Sequence, residues 1–169
     1  MNVKGYAAHF GVANYNGELV KPHSFQKWAE DYKVLSEEVG YSIPINLNHN
    51  GEKPIGKITS VAIDEVGVYI TADISDTMID RYNLRPIITD GDMDAFSTEG
   101  YIDMDTIKIN DDGTYTANGF YLVAVALVCN PADPNAKFKA NSISVFGKYA
   151  DEPKTKEQTK VLTNNLLFL

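Results

Sequence analysis

Apolar positions along this chain recur mostly at every second residue, with two interruptions at helical spacing, which predicts a strand-rich body carrying two helical inserts. GYAAHFGVA (5–13) reads as a first strand. YNGELV (15–20) turns at Asn16-Gly17 into a second, because that dipeptide tolerates the positive φ of a hairpin turn. Phe25, Trp28, Tyr32, Leu35 and Val39 then follow at three- and four-residue steps, with Ser24 placed to cap a helix and Gly40 to end it. In IPINLNHN, alternation puts Ile43, Ile45, Leu47 and His49 on one side of a strand, so His49 ends an apolar face. IGKITSVAID and GVYITADI form a hairpin across the turn at Asp64 to Gly67. Asp76 caps a short helix, DTMIDRYNL, that Pro86 bounds.

In the second half, the turn-rich TDGDMD (89–94) delivers the chain to a strand, AFSTEGYI, and DDGT (111–114) is the next turn. FYLVAVALVC (120–129) is continuously apolar and partly β-branched, the character of a central strand buried on both faces. After the turn NPADPNA comes a last short strand, SISVFGKY. DEPKTKEQTK (151–160) is a charged linker, and VLTNNLLFL an apolar tail able to dock on a partner or on the domain itself. The expected organisation is one α+β, β-rich domain over 1–149, followed by linker and tail over 150–169.

Composition narrows the function more than the fold. A length of 169 residues suits one domain with its own core. With 15 Lys and Arg against 23 Asp and Glu the net charge is −8, and the arginines are Arg81 and Arg85 alone. No basic stripe is present, so nucleic acid is not expected as a partner. No apolar run of membrane-spanning length and no secretory leader is visible, so the reading is soluble and intracellular, with no membrane partner. The single Cys129 sits in an apolar run, where a thiol acts as a small hydrophobe, and it suits a reducing compartment.

The three histidines lack the spacing of a metal site, and no glycine-rich phosphate loop precedes a helix; no metal and no cofactor are expected. Nucleophilic catalysis is the remaining class, because a serine hydroxyl becomes reactive once an imidazole can take its proton. His49, close to the core yet at the start of a loop, is the candidate base. Ser97, in a strand after a Gly/Asp-rich loop, is the candidate nucleophile, and Glu99 points to the same side of that strand. A structural histidine and an ordinary strand serine are the plainer alternatives. The residues alone lead to a β-rich domain with a candidate Ser/His pair.

Four segments in order resemble the prohead (capsid maturation) proteases of tailed phages, which are similar in fold to the herpesvirus assemblins. They are INLNHN, KPIGKITSVAIDEVGVYITADIS, FSTEGYI with its Ser-x-Glu, and YLVAVALVCNPADPNA. The resemblance implies an assemblin-like β-barrel flanked by helices. It also implies a serine endopeptidase that cleaves scaffold protein, capsid protein and itself inside the assembling prohead in the host cytoplasm. His49 would then be the general base and Ser97 the nucleophile. For the third member, some relatives place an aspartate where this chain has Asn16 and others a glutamate where it has Ala124; Asn16, Glu99 and Asp73 are the candidates. The partners implied are capsid and scaffolding proteins and, from the dimeric assemblins, a second copy of the chain. A catalytically silent scaffolding protein that keeps the fold is the alternative, and a small barrel that binds a ligand between sheet and helix is a third.

Overall fold

Strand β1 (Asn2–His9) is followed by a 3₁₀ turn at Pro22–Phe25 and helix α1 (Gln26–Val39). Next come β2 (Pro44–Leu47), β3 (Asn50–Ile63), β4 (Gly67–Ile74), two short helices α2 (Asp76–Arg81) and α3 (Leu84–Thr89), and β5 (Ala95–Ile102). A small hairpin of β6 (Lys108–Ile109) and β7 (Tyr115–Thr116) precedes β8 (Phe120–Val128), β9 (Phe138–Ala140) and β10 (Leu167–Phe168). This is a computed structural model, and it describes residues 1–140 and the backbone of 167–168.

Among the described residues the main sheet runs β5-β8-β2-β3-β4-β1-β9. All its neighbours are antiparallel except β2 and β8, which are parallel. The sheet curls until its ends meet: Ala95 bridges Lys137, Phe96 N–H donates to Ala136 O (2.7 Å) and Phe138 N–H to Asp94 O (2.9 Å). The expected β-rich α+β domain is therefore what forms, as a strongly curled sheet with a few helices. Inside the curl lie Ile43, Ile45, Val61, Ile70, Phe96, Val125 and Leu127, all buried. The run at 120–129 is the central strand it was expected to be, because β8 is flanked by β5 and β2 and buried along most of its length.

Helix α1 is fastened through its first turns. Phe25 packs on Phe120 with ring centroids 4.8 Å apart, and Trp28 Nε1 donates to Leu122 O at 2.9 Å. Its later apolar positions depart from expectation: Leu35 and Val39 are exposed, since the anchoring contacts lie at the other end of the helix. Gly40 ends the helix in the left-handed region, as predicted. Ser24 does not cap it; its hydroxyl donates to Ala117 O at 2.6 Å and ties the 3₁₀ turn to the chain ahead of β8.

Other local expectations also shift. Residues 15–20 form bridges, Ala13 to Leu19 and Glu18 to Tyr115, rather than a strand. The Asn14 side chain takes the amides of Asn16 and Glu18 and so competes with a ladder. Ser75 precedes α2 in extended conformation with Asp76 as the first helical residue, and Pro86 lies within the first turn of α3, where a missing N–H costs nothing. Cys129 is exposed, one residue past the end of β8. The strand expected at 142–149, the linker at 151–160 and the boundary at 149 lie outside the described residues. At the tail, β10 pairs antiparallel with β3, Leu167 opposite Ala62 and Phe168 opposite Val61, which is docking on the domain itself.

The segment after β8 is clamped to β1. The His9 amide and ring Nδ1 both donate to Asp133 Oδ2 at 2.8 Å. Burial alone would raise the Asp133 carboxyl, but the His9 ring, the Asn135 amide and the His9 charge outweigh it and hold it below its ordinary 3.8. A depressed carboxyl contributes stability above its unfolded value and loses it as pH falls through the folded one. Asp133→Asn should therefore cost about 1–2 kcal/mol at pH 7, and chemical unfolding should show that deficit closing once the pH is well below 3.8.

Candidate active site

Two adjacent rows of one sheet face build the site. On β5, β8 and β2, Ser97 lies opposite Ala126 and Ala126 opposite Asn46; one step along, Glu99 lies opposite Ala124. Directly paired residues point to the same face, so Ser97, Glu99 and Asn46 share it, with only alanine methyls between them. Their neighbours Phe96, Leu127, Val125 and Ile45 point into the curl and fill the main core. Two strand spacings put the Ser97 and Asn46 backbones roughly 10 Å apart, close enough for side chains to converge over small residues. Glu99 is about 7 Å along the strand from Ser97.

His49 reaches this face from a turn. Leu47 pairs with Asn50, so Asn48 and His49 form a two-residue hairpin loop, and both have positive φ (52° and 57°). That is the type I′ geometry, normally occupied by Asn followed by Gly. Asn48 N–H donates to Leu127 O at 3.0 Å and fastens the turn to β8. Alternation had placed His49 on the Ile45 face. The left-handed turn instead brings it to the Asn46 face, where His49 Nδ1 stands 3.2 Å from Glu99 Oε1. Both side chains remain partly open to solvent, at 43% and 27% exposure, whereas Ser97 is 5% exposed.

Of the three candidates for a third member, Glu99 is the one joined to His49. Asn16 is exposed in its own turn, its amide donating to Asn14 Oδ1 at 2.9 Å. Asp73 is exposed on β4, with β3 between it and β2, and accepts from Asn2 Nδ2 at 3.0 Å.

The sequence reading passed over Asn46, which is 3% exposed and donates through Nδ2 to Glu99 Oε1 at 2.5 Å. A signal was present, because Asn46 is a lone polar residue between Ile45 and Leu47, three positions before His49. A second histidine and carboxylate, His9 and Asp133, line a cleft that Ser97 and Thr98 also border, together with the buried Glu18. Burial, opposed by the Asn14 hydrogen bond, pushes the Glu18 carboxyl up. Among the described residues no group of three His, Cys, Asp or Glu side chains converges as metal ligands.

A family model described as Caudovirus prohead serine protease matches residues 1–149. The probable capsid maturation proteases of Lactococcus phages p2 and SK1 are each 24% identical over 165 residues, spanning 94% of this chain and 78% of theirs. Among solved structures, the bacteriophage T4 capsid assembly protease gp21 matches with TM-score 0.59 and 18% identity, over 75% of this chain and 81% of that one. The KSHV protease in complex with a hexapeptide phosphonate inhibitor matches with TM-score 0.55 and 13% identity, over 83% of this chain and 65% of that one. These likenesses establish the assemblin-like fold.

A side chain in the left-handed region costs about 1–2 kcal/mol relative to glycine. His49→Gly should therefore unfold at higher denaturant than His49→Ala by about 1 kcal/mol, although both variants lose the imidazole. Equal stabilities would mean that position 49 does not adopt the turn.

Proposed function

The chain belongs to the Caudovirus prohead serine protease family, whose members act in phage head maturation, and from that premise we propose that it is a serine endopeptidase using Ser97, His49 and Glu99. The observation that carries this is the His49 to Glu99 contact on the strand that holds Ser97. With Nδ1 turned to a carboxylate, Nε2 is left to accept the Ser97 proton. Ser97 Oγ attacks the scissile carbonyl, and His49 takes the hydroxyl proton and returns it to the leaving amine. Water then hydrolyses the acyl-enzyme by the same base. Glu99 holds the imidazole and stabilises its cationic form, the part an acidic third member plays.

Ala124 is no obstacle to this assignment. It pairs directly with Glu99, so the two positions are cross-strand neighbours on one face with Cβ atoms about 5 Å apart. A carboxylate supplied from position 99 serves nearly the same space as one from position 124. The substrates are the capsid and scaffolding proteins of the assembling prohead, where confinement raises local concentration and a modest catalyst suffices.

The test is cleavage of the capsid or scaffold partner by the purified chain. Ser97→Ala and His49→Ala should abolish it, and Glu99→Gln should lower kcat by about 10²–10⁴-fold. A fluorophosphonate, which reacts only with an activated hydroxyl, should label Ser97 in the wild type and in folded His9→Ala but not in His49→Ala. A wild type that neither cuts its partner nor takes the label is the silent scaffolding protein instead.

A further inference from the structure

We propose that Asn46 is a positioning residue, which acts on the reaction by holding Glu99 where His49 needs it. This rests on the proposed Ser97, His49 and Glu99 assignment. Asn46 Nδ2 and His49 Nδ1 address the same atom, Glu99 Oε1, at 2.5 and 3.2 Å. The carboxylate is thus held from two sides, by an amide on β2 and by a ring on the turn that ends β2.

The other end of the amide shows that this bond dominates. Asn46 Oδ1 is buried and makes no hydrogen bond among the described residues. An orphaned buried acceptor is costly and rare in folded proteins. Turning the amide over would set Oδ1 against the Glu99 carboxylate, two acceptors face to face with no proton between them. The chain keeps the orphan and keeps the donor on Glu99. A side chain retained for packing alone would be served by an apolar residue of similar size, because what lies between Asn46 and its polar neighbours on this face is the methyls of Ala124 and Ala126.

The position in the sheet explains how the effect reaches Ser97. Asn46 and Ser97 are both partners of Ala126, so Asn46 sits on the row of the hydroxyl while its amide grips the carboxylate on the next row. Losing that grip lets Glu99 rotate toward solvent, and the imidazole loses its fixed tautomer.

Three variants separate positioning from packing. Asn46→Ala should lower kcat about 10²-fold with KM nearly unchanged. Asn46→Asp keeps the shape but replaces the donor with an acceptor that repels Glu99, so its kcat and its rate of fluorophosphonate labelling should fall below those of Asn46→Ala. A packing role gives the opposite order. If Asn46→Ala does not fold, Asn46→Ser, which retains a donor, takes its place and should again exceed Asn46→Asp. The ¹⁵N spectrum of His49 reads the same effect without activity: Nδ1 carries the proton in the wild type, and the two tautomers mix in Asn46→Ala. Wild-type kcat in all variants, or Asn46→Asp matching or exceeding the alanine or serine variant, overturns the proposal. A wild type without cleavage or labelling instead defeats the peptidase assignment, and the His49 spectrum then still decides whether Asn46 orders the ring.

Discussion

The register of three strands, β5, β8 and β2, is the constraint on which the site depends, and the core enforces it from behind. Phe96, Leu127, Val125 and Ile45 point into the curl and are fully buried. Each large apolar side chain of this kind is worth about 1.5–3 kcal/mol of burial. A slip of one residue in any of the strands would take these side chains out of the core and crowd them onto the face now lined by Ala124, Ala126 and Ser97, so the alternative registers are strongly disfavoured. The same register fixes Ser97, Ala126 and Asn46 on one row and Glu99 and Ala124 on the next. The alanines matter as much as the polar groups, because small side chains at 124 and 126 leave the space in which the Asn46 amide reaches the Glu99 carboxylate.

His49 is delivered by a different device. A strand residue would have been held by the ladder, but alternation would have sent it into the core with Ile45. The I′ turn reverses the chain within two residues and brings the imidazole to the opposite face, at the cost of a left-handed backbone at a position that favours glycine. Strain of about 1–3 kcal/mol persists only where the surroundings over-determine the conformation. Here Asn48 is bonded to Leu127 O on one side, and Leu47 pairs with Asn50 across the loop.

Much of this was legible in the sequence, for reasons that also explain what was not. The β3–β4 hairpin, β5 and the buried β8 carry strong two-residue or continuous apolar patterns, and helix α1 shows its period and its terminal glycine. The failures lie where side chains bond to nearby or distant backbone. Ser24 reads as a cap until Ala117, far along the chain, takes its hydroxyl. The second strand dissolves because Asn14 satisfies the amides a ladder would need. His49, Ser97 and Glu99 could be named from residue type, but Glu99 could not be set above Asn16 or Asp73 without the register across β8. Asn46 was hidden for the same reason, since its partner is 53 residues away.

Among the described residues two histidine–carboxylate pairs form, and their local geometry differs. In the His9 pair, Asp133 Oδ2 binds both the ring and the backbone amide of the same residue, and the two side chains are 17% and 16% exposed. That carboxylate is committed to β1, and its lowered pKa records the bonds that hold the closing segment there. In the His49 pair the amide of Asn46 replaces the histidine's own backbone as second donor, so the ring is held by its side chain alone at the end of a turn. It is also more open, at 43% exposure against 17%. The base of the proposed peptidase, which would pass a proton between a hydroxyl and an incoming peptide, needs one nitrogen anchored and the other reachable. The first pair is built as a clasp, and the second leaves its ring a free edge on the face that carries Ser97.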